Sequence, residues 1–426
     1  MKKPWVITVN MGYGHQRTTY SFRKIAEGGK IIPANDYDDI PFADKRLWKS
    51  SRDFYEAISR FKRFPILGPI VFSLFDKLQK ILSFYPKRDL SKNNFQTTQL
   101  FFLIERGWGK HLIEKLRKKP RVFLTSFFTP AFMAEMFGYP EDIFCIICDA
   151  DIARSWVSKN PQKSKIKYFV PNKRVEERLK LYGIQGKNIF LTGYPLPKEN
   201  IGTEKMNILK KDIANRLVNL DPEKRYEKHY GPLIKKYIGE LPQKSDHPLT
   251  ITFAVGGAGA QKEIGVQILD SLKKEIKSNK LKFILVAGTR KKVRDYFVQQ
   301  IKKLRLGVHL GNNIEVLFEE KIEDYFSSFN KTMRQTDILW TKPSELSFYT
   351  GLGLPIIMAP SIGSQEDFNR EWILKIGSAM PQKDIRYTNE WLFDLLNRGW
   401  FAEACMQGFI EAETLGTFNI EKIISK

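Results

Sequence analysis

Short, unbroken apolar runs recur along the chain, separated by longer amphipathic or polar stretches. Within residues 1–195 they are KPWVITVN, GKIIPAND, RVFLTS, DIFCIICDA, KIKYFVPN and NIFLTGYP, with helical spacing at 17–26, 99–118 and 130–137. Runs of four to six apolar residues without alternation predict strands covered on both faces, as in a parallel sheet. Residues 198–244 are charged, helical in pattern and free of such runs, and read as a connection or insertion. The strand pattern then restarts with LTITFAVGG, LKFILVAGT, NIEVLFEE, TDILWTK and LPIIMAP. At 426 residues the chain exceeds what one core usually supports. The expected fold is therefore α/β, with two doubly wound, Rossmann-like parallel-sheet domains facing a cleft. The expected boundaries are 1–197, the connection 198–244, a second domain 245–385, and helices over 386–426 packing back toward the first domain.

Polar chemistry collects at the ends of the predicted strands. Residues 341–380 read as a loop, a small helix, a buried strand at 354–359, a polar loop and a second helix. Glu345 stands at one junction and Gln365, Glu366 and Asn369 at the next. Helix starts attract phosphate and carboxylates accept hydrogen bonds from sugar hydroxyls, so the segment suits a hydroxylated, phosphorylated ligand. Capping and turn chemistry account for the same residues equally well.

Two glycine loops follow predicted strands. Gly12 and Gly14 precede His15 at a helix start, where a neutral imidazole could accept a proton; a tight strand-to-helix turn capped by His is the alternative. Gly256, Gly257 and Gly259 form the second loop, which matches neither the dinucleotide nor the ATPase pattern but can line a diphosphate. Asp149 and Asp151 leave a buried strand and can serve either as a general base or as caps.

Charge changes the picture. The chain carries 70 Lys and Arg against 47 Asp and Glu, a net +23, and over half of that excess lies in residues 1–120. Such a field suits an anionic partner, either nucleic acid or an acidic membrane surface. Within 57–85 a basic, aromatic-rich stretch contains Arg60, Lys62, Arg63, Phe72 and Phe75 at the start of a helical apolar stripe. It reads as an interfacial helix or as a core helix with a basic outer side. Cys145, Cys148 and Cys405 provide neither a disulfide framework nor a zinc quartet, and no metal motif is present. The first residues run directly into a strand and glycine loop, unlike a signal peptide, and no apolar run is long enough to span a bilayer.

Taken together, GYGH, the run YFVPNKRVEERLKLYGIQGKNIFLTGYPL, GGAGA, TKPSEL, GLGLPIIMAP and GSQEDFN resemble the nucleotide-sugar glycosyltransferases of GT-B fold. The likeness is to the diacylglycerol glycosyltransferase and monogalactosyldiacylglycerol synthase group, and it spans most of the chain outside the charged middle segment. The resemblance implies an inverting, metal-independent hexosyl transfer from a UDP-sugar to a lipid acceptor. The UDP-sugar is the donor substrate and no cofactor is implied. It places Glu345 on the ribose and Gln365, Glu366 and Asn369 on the donor sugar and diphosphate. Thr341 and Ser344 share that donor motif, Gly256, Gly257 and Gly259 lie near the phosphates, and Phe318 stands near the uracil. Gly12, Gly14 and His15 fall where diphosphate and acceptor meet, with His15 and Asp149 as the catalytic candidates. A cytoplasmic protein peripherally associated with an anionic membrane follows, with no nucleic acid expected because no recognition motif for it is present. A UDP-sugar 2-epimerase of the same fold, a non-catalytic UDP-sugar sensor and a non-catalytic basic protein binding nucleic acid or anionic lipid are the alternatives. Where the family has a His before the Trp that follows the Asp149 strand, this chain has Ala153 or Arg154.

Overall fold

A computed structural model of the protein describes residues 3–50, 81–254, 259, 261–361 and 364–425. The chain divides into two compact units. The first is Met1–Pro195 with Ile362–Asn369 and Leu415–Lys426, and the second is Leu196–Ser361 with Arg370–Thr414.

In the first unit every apolar run of the sequence becomes a strand: β1 (Trp5–Thr8), β2 (Ile31–Pro33), β3 (Phe123–Thr125), β4 (Ile143–Ile146), β5 (Lys167–Val170) and β6 (Ile189–Leu191). They form one parallel sheet in the order β2-β1-β3-β4-β5-β6, with Ile7 opposite Thr125 and Thr125 opposite Cys145. The winding reverses between β1 and β3. Right-handed crossovers on either side of that point place helices on opposite faces. Val6, Leu124, Phe144 and Phe169 are buried on one face with Phe22, and Ile420 of helix Gly416–Ile424 completes this core. Phe144 and Phe169 stack with ring centroids 4.9 Å apart. Burial of each such side chain contributes about 1.5–3 kcal/mol. Helix Gly416–Ile424 approaches residues 193–194 so closely that a Cβ on Gly416 would sit 2.6 Å from the Gly193 carbonyl oxygen. Only glycine fits at that approach, and Asn419 then donates to the Thr192 carbonyl at 2.9 Å.

Two helices differ from the sequence expectation. The helix expected over 17–26 runs instead over Tyr13–Tyr20, because Gly12 (φ 113°, ψ 164°) takes a positive-φ conformation open to glycine, from which the helix can start inside the glycine loop. The pattern at 99–118 resolves into two helices, Phe95–Glu105 and Lys110–Arg117, broken where Gly107 and Gly109 take φ of 104° and 83°.

The second unit repeats the design with β7 (Thr250–Ala254), β8 (Lys282–Gly288), β9 (Ile314–Phe318), β10 (Ile338–Thr341), β11 (Ile356–Met358) and β12 (Ala379–Pro381). The order is β12-β11-β10-β7-β8-β9, all parallel, so its reversal lies between β7 and β10. The architecture is thus α/β with two doubly wound parallel sheets. β12 carries no apolar run of its own; it is a three-residue edge strand paired through Ala379 with Ile356. The segment 198–244 joins this unit as helices Lys198–Ile201, Asn207–Leu220 and Arg225–Tyr237. Its Arg216 is 1% exposed and donates to the carbonyls of Thr336, Leu352 and Met333, satisfying carbonyls at and just beyond two helix ends.

Just beyond that segment, His247 lies between two carboxylates: Nδ1 is 2.7 Å from Asp246 and Nε2 is 3.2 Å from Asp337. Asp337 is fully buried and also accepts from the Thr250 amide and Asn219 Nδ2. Burial disfavours the charged ring and Arg216 opposes it, yet the Asp337 and Asp246 carboxylates outweigh both and raise the His247 pKa. A group whose pKa is raised on folding stabilises most below its unfolded value, about 6.5, and loses that contribution as pH rises through the folded value. Denaturant midpoints are therefore expected to fall between pH 6 and pH 9 in the native chain, with a flatter profile in His247→Gln. An equal slope in both proteins would exclude the ring as the source.

Candidate functional site

The C-terminal edge of the first sheet gathers loops from β1, β3, β4 and β5. The loop after β1 is tied down where the Asn10 amide donates to Asn35 Oδ1 at 2.9 Å, and Gly12 turns it into helix Tyr13–Tyr20. His15 lies in the first turn of that helix. Its Nδ1 is 2.9 Å from the Ser126 carbonyl, directly across the reversal point between β1 and β3. Ser126 Oγ donates in return to the His15 carbonyl at 2.9 Å. A carbonyl only accepts, so the neutral ring carries its proton on Nδ1 and its lone pair on Nε2. Cys148 Sγ approaches Nδ1 at 3.5 Å, and the ring meets Phe127 edge-on at 4.7 Å. Thr18 Oγ1 donates to the Gly14 carbonyl, anchoring the same turn.

Asp149 follows Cys148. Its Oδ1 accepts from Asn369 Nδ2 at 3.3 Å, while Asn369 Oδ1 accepts from the Ala150 amide at 2.7 Å. Asn369 and Glu366, expected with 245–385, belong to the first unit by their contacts. Asp151 is engaged differently. Its carboxylate accepts from Arg178 Nε and Nη2 at 2.8 Å each and from Arg174 Nε at 2.9 Å. These bonds commit Asp151 to holding helix Lys173–Leu181. Arg154 is buried and bonded to the carbonyls of Ser91, Val157 and Ser158 and to Asn93. It holds loops together and is not a proton carrier. Trp156 is also buried, with its ring 5.3 Å from Phe128.

The second unit presents an analogous edge. Thr341, 1% exposed at the end of β10, donates from Oγ1 to the Ala254 carbonyl at the end of β7, bridging the reversal point. Ser344 caps the 3-10 helix Glu345–Leu352, its Oγ accepting from the Leu346 amide, so Glu345 is the first residue of that turn. Gly259 has φ +67°, and a Cβ there would press within 2.8 Å of Val293. Phe318 ends β9, which is separated from β10 by β7 and β8, so a ligand touching both Phe318 and Glu345 has to lie along the edge of those two strands. The Arg294 guanidinium stands 4.8 Å over the Phe318 ring and brings a cation to this edge.

Gly256, Gly257, Arg60, Lys62, Arg63, Phe72 and Phe75 lie outside the described residues. Gln365 falls in the first turn of helix Ser364–Lys375. Among the described residues, no group of His, Cys, Asp and Glu is placed to hold a metal, and no helix is long and apolar enough to cross a membrane. Sequence reasoning missed Ser126, Asn172 and Arg294. Ser126 had one usable signal, its place immediately after a buried strand, where sheet-edge chemistry collects.

A family model described as a domain of unknown function (DUF6938) matches residues 242–312. No curated protein matches the chain. Among solved structures, MnaA from S. aureus in a co-structure with UDP is similar over 100% of this chain and 95% of its own, with 14% identity and a TM-score of 0.47. MurG from Acinetobacter baumannii is similar over 99% of each chain, with 13% identity and a TM-score of 0.47. UDP-GlcNAc 2-epimerase from Neisseria meningitidis bound to UDP-GlcNAc covers 84% of this chain and 88% of its own, with 13% identity and a TM-score of 0.42.

Proposed function

We propose that this protein is an inverting glycosyltransferase that moves a hexose or N-acetylhexosamine from a UDP-sugar to a lipid acceptor at a membrane surface. The observation that carries the reading is the Nδ1 contact of His15 with the Ser126 carbonyl, which places the imidazole lone pair on Nε2 at a sheet edge. In the proposed reaction that lone pair takes the proton of an acceptor hydroxyl. The oxygen attacks the anomeric carbon and the C1–O bond to the diphosphate breaks, so that UDP leaves with the bonding electrons. On the second unit, Glu345 accepts the ribose hydroxyls and Phe318 faces the uracil. The amides opening helix Lys262–Ser271 receive the diphosphate, where aligned N–H groups favour negative charge.

The lipid surface is supported by the basic excess of residues 1–120. Described residues flanking 51–80 fit it: Phe42 and Tyr85 are exposed, and so are Lys45, Arg46, Lys49, Lys87 and Arg88. Aromatic and cationic side chains together suit an anionic interface.

The test is a panel of nucleotide-sugars assayed for UDP release, with and without anionic vesicles containing diacylglycerol. Release that depends on a UDP-sugar and rises with vesicles is expected. Appearance of an epimeric UDP-sugar without acceptor would replace transfer by epimerisation, and binding of no panel member would end the reading. Glu345→Ala is expected to weaken UDP binding by about tenfold or more, the worth of hydrogen bonds to a charged group. Unchanged affinity by calorimetry would remove Glu345 from the ribose.

A further inference from the structure

We infer that Asn369 is a positioning residue, whose amide holds the Asp149 carboxylate and the Ala150 peptide in place instead of recognising the donor sugar. The side chain is 1% exposed and both ends of its amide are engaged in the loop after β4. Oδ1 accepts from the Ala150 amide at 2.7 Å and Nδ2 donates to Asp149 Oδ1 at 3.3 Å. The orientation follows from chemistry: a backbone N–H needs an acceptor and a carboxylate needs a donor.

A second asparagine holds the next peptide, on the other side of Ala150. Asn172 Nδ2 donates to the Ala150 carbonyl at 3.1 Å, and its Oδ1 caps helix Lys173–Leu181 through the Val175 amide at 2.9 Å. The two peptide groups that flank Ala150 are thus each held by a side-chain amide, one through its N–H and the other through its C=O, and Ala150 is buried. Further along, Asp151 is fastened by Arg174 and Arg178. Asp149 is the acidic group of this loop whose position Asn369 sets directly. A shorter or charged side chain at 369 would leave the backbone N–H without its acceptor or place like charges together, and either change acts on Asp149.

The catalytic consequence rests on the proposed transfer, whereas the clamp itself does not, and two measurements separate them. Hydrogen exchange of a peptide covering Ala150 should show one additional rapidly exchanging amide in Asn369→Ala. In Asn369→Asp, which keeps an acceptor for Ala150, protection should persist. In turnover assays Asn369→Ala should lower kcat by about tenfold or more while UDP affinity stays within about threefold of the native chain. Asn369→Asp keeps the acceptor for Ala150 but sets a second carboxylate against Asp149, and should also lower kcat with UDP affinity kept. Unchanged Ala150 exchange in Asn369→Ala overturns the clamp. A loss of UDP affinity beyond about tenfold in both variants, with Ala150 still protected, makes Asn369 a donor ligand. If the native chain binds no nucleotide-sugar, the transfer reading fails and the exchange result still decides the clamp.

Discussion

Replacing His15 with alanine is expected to lower the proposed sugar transfer by about 10²–10⁴-fold, the usual worth of a positioned general base. The expectation follows from how the ring is held. The Ser126 carbonyl accepts a hydrogen bond from Nδ1 at 2.9 Å and Ser126 Oγ donates to the His15 carbonyl, so ring and helix turn are fixed together. Phe127 lies edge-on against the ring and further restricts it. The proposed role of the ring is toward the acceptor hydroxyl, so UDP affinity should stay within about twofold and the loss should appear in kcat. The acid limb that reports protonation of the base should vanish with the imidazole. Turnover within tenfold of the native chain, at saturating donor and acceptor, would remove His15 from proton transfer.

The largest expected effect on stability is that of Asp151→Ala. Arg178 is fully buried and two of its nitrogens meet Asp151 at 2.8 Å, while Arg174 adds a third bond at 2.9 Å. Burial lowers the Arg178 pKa and the Asp151 carboxylate more than restores it, so the guanidinium remains charged in the folded chain. Removing the carboxylate leaves that cation buried without its counter-ion, a loss of about 3–5 kcal/mol for comparable buried pairs. Asp151→Asn keeps hydrogen-bond acceptance at one position and should lose less. The measurement is chemical denaturation followed by a probe confined to the first unit, since a chain of two units need not unfold in one step. A midpoint for Asp151→Ala equal to that of the native chain would show the pair to be neutral.

The strands were legible because a strand covered on both faces needs apolar residues at successive positions, and RVFLTS or LKFILVAGT supplies them without help from elsewhere. β12 was not legible. Ala379–Pro381 owes its strand conformation to pairing with β11, and three residues ending in proline carry no pattern of their own. The double helix at Phe95–Arg117 was missed for a local reason, since Gly107 and Gly109 lie inside an otherwise continuous helical spacing. Residues 198–244 show a charged helical pattern, which does not reveal that Arg216 is almost completely buried, its charge met by three backbone carbonyls from distant segments.

The candidate site divides along the same line. His15, Asp149, Thr341 and Glu345 could be picked out in advance because glycine loops, acids and small polar residues at the ends of apolar runs mark the C-terminal edge of a parallel sheet. Which of them meet could not. Parallel strands are joined by long crossovers, so the neighbours of β1 and β4 depend on the global winding and not on anything within a few residues of them. Only the order β1-β3-β4-β5 brings Ser126 and Cys148 to His15 and Asn172 to Ala150. The same holds for Asp149 and Asp151, which are indistinguishable as neighbouring acids. Two arginines from helix Lys173–Leu181 commit Asp151 to structure, and an asparagine more than two hundred residues away holds Asp149. Apolar periodicity is a local property and survives in the sequence. The partner of a polar side chain is a long-range one, and it is decided when the sheet closes around it.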